Sequence, residues 1–305
     1  MRSPHLWQVC LILIIGVLSV SSTAIFIRLA LQASGQFGLE FSLFLAASRL
    51  ITASFFLFPA WHNVLTIQVT SKAYYYAIVA GIALAFHFVF WITSLSFTSI
   101  AASTTLVTTN PIWVALLSWL WFKEKIKKLT ILGIVIALGG GVLIALGSGH
   151  ETTAQSQPIL GNILALIGAW LVSLYLILGR KAQQQGLKIS SYSVIVYSTA
   201  SLLLFPLPLI FGSGYTNYPQ SVYFYVLLMA LFSQLIGHTS INWSVRWLSP
   251  TLVALAILFE PIGSSILGFI LFEEIPTKLV LIGAIIILFG VIIAVIGSQD
   301  KDKFS

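Results

Sequence analysis

Apolar residues come along this chain in successive runs of about twenty, bounded by charges, glycine, proline or serine. A helix of that length spans a hydrocarbon core of about 30 Å at 1.5 Å per residue. The runs predict helices at Trp7 to Leu31, Leu39 to Ala60, Lys72 to Phe97, Ser99 to Phe122 and Leu129 to Leu146. Five more follow at Pro158 to Gln184, Ser190 to Phe211, Val222 to Trp247, Ser249 to Phe272 and Thr277 to Ser298. Lipid offers no partner to a bare peptide group, so each crossing must bond its backbone within its own helix. Connections are short, and no stretch is left over for a soluble domain. Arg2 and the run up to Ser19-Val20-Ser21 loosely resemble a secretory signal, but the run continues to Leu31 and is read as the first helix.

The pattern also repeats. At an offset of 150 residues, Asn110-Pro111-Ile112 matches Glu260-Pro261-Ile262, Glu124 matches Glu274, Gly133 matches Gly283, Gly140 matches Gly290 and Gly147-Ser148 matches Gly297-Ser298. Nearer the start of each half the offset becomes 152, with Ser21, Arg28 and Gln32 against Ser173, Arg180 and Gln184. The expected organisation is two five-helix repeats, residues 1–150 and 151–305. Five crossings is an odd number, so the second repeat enters from the opposite side and the halves are inverted. The expected fold class is an all-α integral membrane protein of ten transmembrane helices in two inverted repeats. Inverted halves can exchange conformations, opening a midplane site to one side and then the other.

Charge sets the orientation. Lys and Arg are retained in short cytoplasmic loops. With the N-terminus inside, the inner side holds Arg2, Lys72, Lys123, Lys125, Lys127, Lys128, Arg180, Lys181, Lys188, Arg246, Lys301 and Lys303, and the outer loops only Lys278. Both termini are therefore expected in the cytoplasm, with the chain crossing a plasma membrane of the bacterial inner-membrane type. The net charge of +7 becomes a topology signal, and no nucleic-acid partner is needed. Hydrophobic residues make up 58 % of the chain and charged ones 8 %, against about 25 % charged in soluble domains. One cysteine and five scattered histidines give no metal-ligand spacing, and no phosphate-binding loop is present, so neither metal, cofactor nor direct ATP drive is expected.

A polar or ionisable residue inside a membrane helix is costly and should be paired or face a cavity. Glu260 is the acid deepest within a helix, just before Pro261, and its repeat partner Asn110 precedes Pro111. Proline removes a backbone donor and frees the carbonyl four residues back, so each site combines a helix irregularity with a polar side chain. Arg49, central in its helix, is the natural charge partner of Glu260, either as a structural pair or as half of a proton switch. In the third helix His87, Trp91 and Ser94 share one face, and in the eighth Gln234, His238 and Asn242 form another polar stripe. The two stripes could line one cavity, with Trp91 as a stacking or cation-binding surface, or bond to neighbouring helices as packing glue. Arg28 and Arg180 fall near opposite membrane faces, and the glycines at 133, 140, 147, 283, 290 and 297 offer smooth packing faces.

These residues, in this order and duplicated, resemble the drug/metabolite transporter superfamily, specifically its ten-helix EamA-type members. The resemblance rests on Ile27-Arg28, Arg49, the Pro111 to Glu124 and Pro261 to Glu274 blocks, and the glycine-bearing helices that follow. It implies a secondary carrier, commonly an exporter of amino acids or other metabolites, with a central cavity enclosed by the first four helices of each repeat. The resemblance places His87, Trp91, Asn110, His238, Asn242 and Glu260 on cavity-forming helices. The expected partners are a small-molecule substrate, the bilayer, and protons coupled through Glu260. No Asp lies in any expected helix and no GxSG or HExxH motif occurs, which weighs against an enzyme. A channel or a non-transporting receptor is the alternative.

Overall fold

The computed structural model describes residues 4–122, 127–147, 157–248, 250–273 and 275–298. The charges Arg2, Lys123, Lys125, Lys301 and Lys303, with Glu124, Glu274 and Ser148, lie outside the described residues. Every regular element described is helical. Seven stretches are long and apolar enough to cross a membrane: Leu6–Ser34, Leu39–Phe56, Ser71–Ser94, Ile100–Trp121, Pro158–Gln184, Ile189–Ile210 and Gln220–Val245. Lys128–Leu143, Ile262–Phe272 and Lys278–Ala294 are shorter apolar helices. This is a multi-pass membrane protein.

The first half contains α1 (Leu6–Ser21), α2 (Thr23–Ser34), α3 (Leu39–Phe56), α4 (Trp61–Thr66), α5 (Ser71–Ser94), α6 (Ile100–Val107), α7 (Asn110–Phe122) and α8 (Lys128–Gly147). The second contains α9 (Pro158–Gln184), α10 (Ile189–Leu204), α11 (Leu207–Ile210), α12 (Gln220–Leu228), α13 (Thr239–Val245), α14 (Pro250–Ile257), α15 (Glu260–Phe272) and α16 (Lys278–Ser298). Several expected continuous helices are interrupted, each for a local reason. Between α1 and α2 the Ser21 and Ser22 hydroxyls bond back to the carbonyls of Val17 and Ser19, which bends the helix at Ser22. α6 ends at Val107 and α14 at Ile257, each four residues before a proline whose missing N–H leaves that carbonyl without its helical donor. Between α12 and α13, Met229–His238 is a π-helix, a rare form that occurs frequently at functional sites. Pro206 separates α10 from α11.

The helices pair across the two halves. α5 runs antiparallel along α9: Gly161 sits against Thr98, and the Gly168 carbonyl meets His87. α1 crosses the π-helix where Gly16 and Gly237 bring the backbones together. α6 packs on α15, and α7 on α14. At the margin α8 and α16 lie antiparallel, Gly133 against Gly290 and Ala294, Gly140 against Gly283 and Ile287, Gly297 against Thr130. Their other faces expose Val135, Leu138, Val142, Ile285, Phe289 and Ile292, the apolar surface a lipid-facing helix pair presents. The main core lies inside the remaining helices.

Candidate functional site

The two proline breaks meet at the centre of the fold. Val107, Thr108 and Asn110 from one, and Ile257 and Glu260 from the other, line one cavity. α5 contributes His87 and Trp91, α9 contributes Val172, Tyr175 and Leu176, and the π-helix contributes His238. Val20, Thr23 and Ile241 complete the wall. Breaking the helices here exposes peptide groups only where they border a cavity, the condition under which a membrane protein tolerates irregular backbone.

Each polar wall residue is oriented by the element behind it. A carbonyl can only accept, so His87 donates from Nδ1 to Gly168 O at 2.9 Å, and a singly protonated ring then keeps Nε2 as an acceptor. The His87 ring stacks on Trp91 at 5.8 Å between centroids. Gly168 lies close behind it: a methyl group there would meet Val107 Cγ2 at 3.3 Å and Trp91 Cβ at 3.4 Å, a slightly tight fit. Tyr175 OH accepts from Asn242 Nδ2, and the Asn242 carbonyl accepts from Gln183 Nε2 at 2.9 Å. Trp91 Nε1 and Asn110 Oδ1 are buried without a hydrogen-bond partner.

Behind this wall lies a second layer. Arg49 is fully buried; its Nη2 donates to Gln234 Oε1 at 3.0 Å, and its guanidinium lies 4.0 Å from the Phe88 ring centroid. Phe88 in turn meets His238 edge-on at 5.3 Å. Arg49 Nε and Nη1 have no hydrogen-bond partner, so the direct ion pair with Glu260 expected from sequence position is not made. The π-helix presents Gln234 to the guanidinium, and Phe88 covers its face. Arg49 and Glu260 are still near enough for their charges to act on one another through space. The Gln234 carbonyl accepts the backbone N–H of Thr239 across the π turn, and also Tyr197 OH at 3.2 Å and Thr239 Oγ1 at 3.3 Å. Tyr197→Phe is therefore expected to lower stability by about 1 kcal/mol rather than more, because Thr239 remains as a donor. Thermal unfolding in detergent checks this.

Of the residues singled out from sequence, His87, Trp91, Asn110, His238 and Glu260 converge on the cavity. Arg49, Gln234 and Asn242 stand behind it. Ser94 is turned to α6, donating to Trp91 O and sharing a 2.6 Å bond with Ser103 Oγ. Arg28 donates to Thr98 O at 3.1 Å, away from the cavity. Tyr175, Thr23 and Thr108 were not anticipated. A signal existed for Tyr175: Gly168, Val172, Tyr175 and Gly179 share one helical face, all buried, with two glycines marking close approach.

Comparison with known proteins adds the family. The sequence profile described as the EamA-like transporter family matches residues 7–146 and again 159–296. An uncharacterized transporter of Archaeoglobus fulgidus is 25 % identical over 285 residues, 92 % of this chain and 95 % of that one. An uncharacterized transporter of Bacillus subtilis, YdfC, is 27 % identical over 63 % of this chain and 61 % of its own. A probable terminal-alkyne amino-acid exporter of Streptantibioticus cattleyicolor is 22 % identical over 62 % of this chain and 61 % of its own. One solved crystal structure superposes over 95 % of this chain and 97 % of its own with a TM-score of 0.65 at 18 % identity, a likeness of fold.

Proposed function

The chain belongs to the EamA-like transporter family of the drug/metabolite transporter superfamily, and from that premise we propose that it is a secondary-active carrier, working as an exporter, of a small metabolite. Transport proceeds by alternating access around the central cavity. In this reading the two repeats, residues 1–150 and 151–305, are inverted, the ten crossings leave both termini in the cytoplasm, and the membrane is the plasma membrane. The observation that carries it is the pair of proline breaks, 150 residues apart, opening into one cavity. Repeat-related breaks allow the halves to trade conformations around a fixed site. A relative named for exporting an amino acid puts that class among the candidate cargoes.

Glu260 is the coupling residue of this reading, a single carboxylate on the cavity wall with Arg49 as the charge nearest behind it. The test is transport into proteoliposomes. Wild type should show saturable uptake and counterflow, with flux driven by an imposed pH gradient. Glu260→Gln should lose the pH-gradient response by roughly tenfold or more, a change of about 1.4 kcal/mol in driving preference. An unchanged response removes proton coupling from the account. Non-saturating flux with single-channel currents identifies a channel instead, and binding without flux a receptor.

A further inference from the structure

The polar groups around the cavity are not balanced between donors and acceptors of charge. Its lining includes one ionisable acid, Glu260, and no Lys or Arg. Of the remaining polar groups, Asn110 Oδ1 is buried without a donor and His87 offers Nε2 once Nδ1 is bonded to Gly168, while Trp91 Nε1 is a buried donor without a partner. The rest of the wall is aromatic or aliphatic, with Trp91 and Tyr175 supplying π-faces. An ammonium has three donors and no acceptor, and it is attracted both to a carboxylate and to an aromatic face.

A carboxylate entering the same cavity would meet no cation. Arg49 lies behind the wall, and three features hold it away: Gln234 takes its Nη2, Phe88 lies on its face, and His238 stands between Phe88 and the cavity. Leaving a carboxylate without a countercharge beside Glu260 in a low dielectric would be costly. Resting on the reading of this cavity as the transport site, we infer that its ligand is a protonated amine with an apolar or aromatic body and no carboxylate, the ammonium lying between Glu260 and the Trp91 ring. An amino acid shares the ammonium but carries the group the wall has no place for. Specificity here comes as much from what the wall rejects as from what it binds.

Matched compounds separate these demands. Purified full-length protein in detergent would be heated with phenethylamine, phenylalanine and phenylacetate, then with tryptamine, tryptophan and indole-3-acetate. A ligand that binds the folded state raises its apparent stability in proportion to the logarithm of its saturation. The amines should raise the unfolding temperature at concentrations at least about tenfold below the zwitterions, and the acids should have no effect. Glu260→Gln should abolish the amine shift, and Trp91→Leu should weaken it, while each variant unfolds cooperatively on its own. Equal shifts for amine and zwitterion, or an amine shift that survives Glu260→Gln, overturn the inference, as does the absence of any amine shift in wild type. Transport is read separately in proteoliposomes: amine binding without flux leaves the ammonium site standing and removes the carrier reading, whereas amino-acid flux unaffected by amines does the reverse.

Discussion

Gly133→Ala is expected to destabilise the protein by about 3 kcal/mol, although alanine is the better helix former. The added Cβ would lie 2.3 Å from Gly290 O and 2.4 Å from Ala294 N. Both are backbone atoms, so no rotamer change can relieve the collision, and α8 and α16 must separate along much of their length. In lipid, helix pairs are held by close packing rather than by expulsion of water, so a lost fit is not recovered by another driving force. Gly139 is the internal control. Nothing lies within 4 Å of a Cβ built there, and Gly139→Ala should be neutral or stabilising by up to about 1 kcal/mol. Thermal unfolding of the two variants side by side decides the matter: equal effects would mean that the two helices do not pair through these faces.

Phe88→Ala should cost about 3 to 5 kcal/mol, in the range of large-to-small aromatic substitutions in packed interiors. Phe88 is fully buried and touches both layers of the site, with Arg49 4.0 Å from its face and His238 on its edge. Its removal takes away packing and the π-face that helps hold a buried cation whose Nε and Nη1 have no other partner. Phe88→Leu keeps most of the volume and should cost under about half as much. Unfolding in detergent provides the readout, and similar losses for the two variants would show that volume at this position does not matter. Ligand selectivity adds a second: opening the space between Arg49 and the cavity should make carboxylates better tolerated in Phe88→Ala than in wild type.

What could be read from the chain before its structure divides along physical lines. The central breaks were legible, because proline removes a specific hydrogen bond wherever it stands and the 150-residue repeat marks Asn110 and Glu260 as equivalents. The helix faces carrying His87 with Trp91, and His238, were legible from 3.6-residue periodicity. The π-helix at Met229–His238 was not, since no residue type encodes an extra backbone residue per turn. That turn is what presents Gln234 to Arg49, so the partner of Arg49 depended on a backbone feature hidden from the pattern. Glu260 stood as the obvious partner only because opposite charges at similar depth attract attention. Tyr175 was hidden for another reason: a tyrosine among aliphatic residues reads as core until a neighbouring helix is known to leave space beside it. The bend at Ser22 lay inside one unbroken apolar run, where serine hydroxyls bonding back to the helix are silent in a hydropathy profile.

The central claim is that one cavity opens alternately to the two sides of the membrane, and a single engineered thiol tests it most directly. The native cysteine, Cys10, is exposed, so the background is Cys10→Ser. Thr23, buried on the cavity wall, is then changed to cysteine. In sealed vesicles of known orientation, a membrane-impermeant thiol reagent is applied to one face or the other, with and without a ligand that raises the unfolding temperature. The account expects Thr23→Cys to be labelled from either face, with the bound ligand slowing both reactions together. Labelling from one face only, in every condition, would contradict it and leave the cavity as a one-sided cleft.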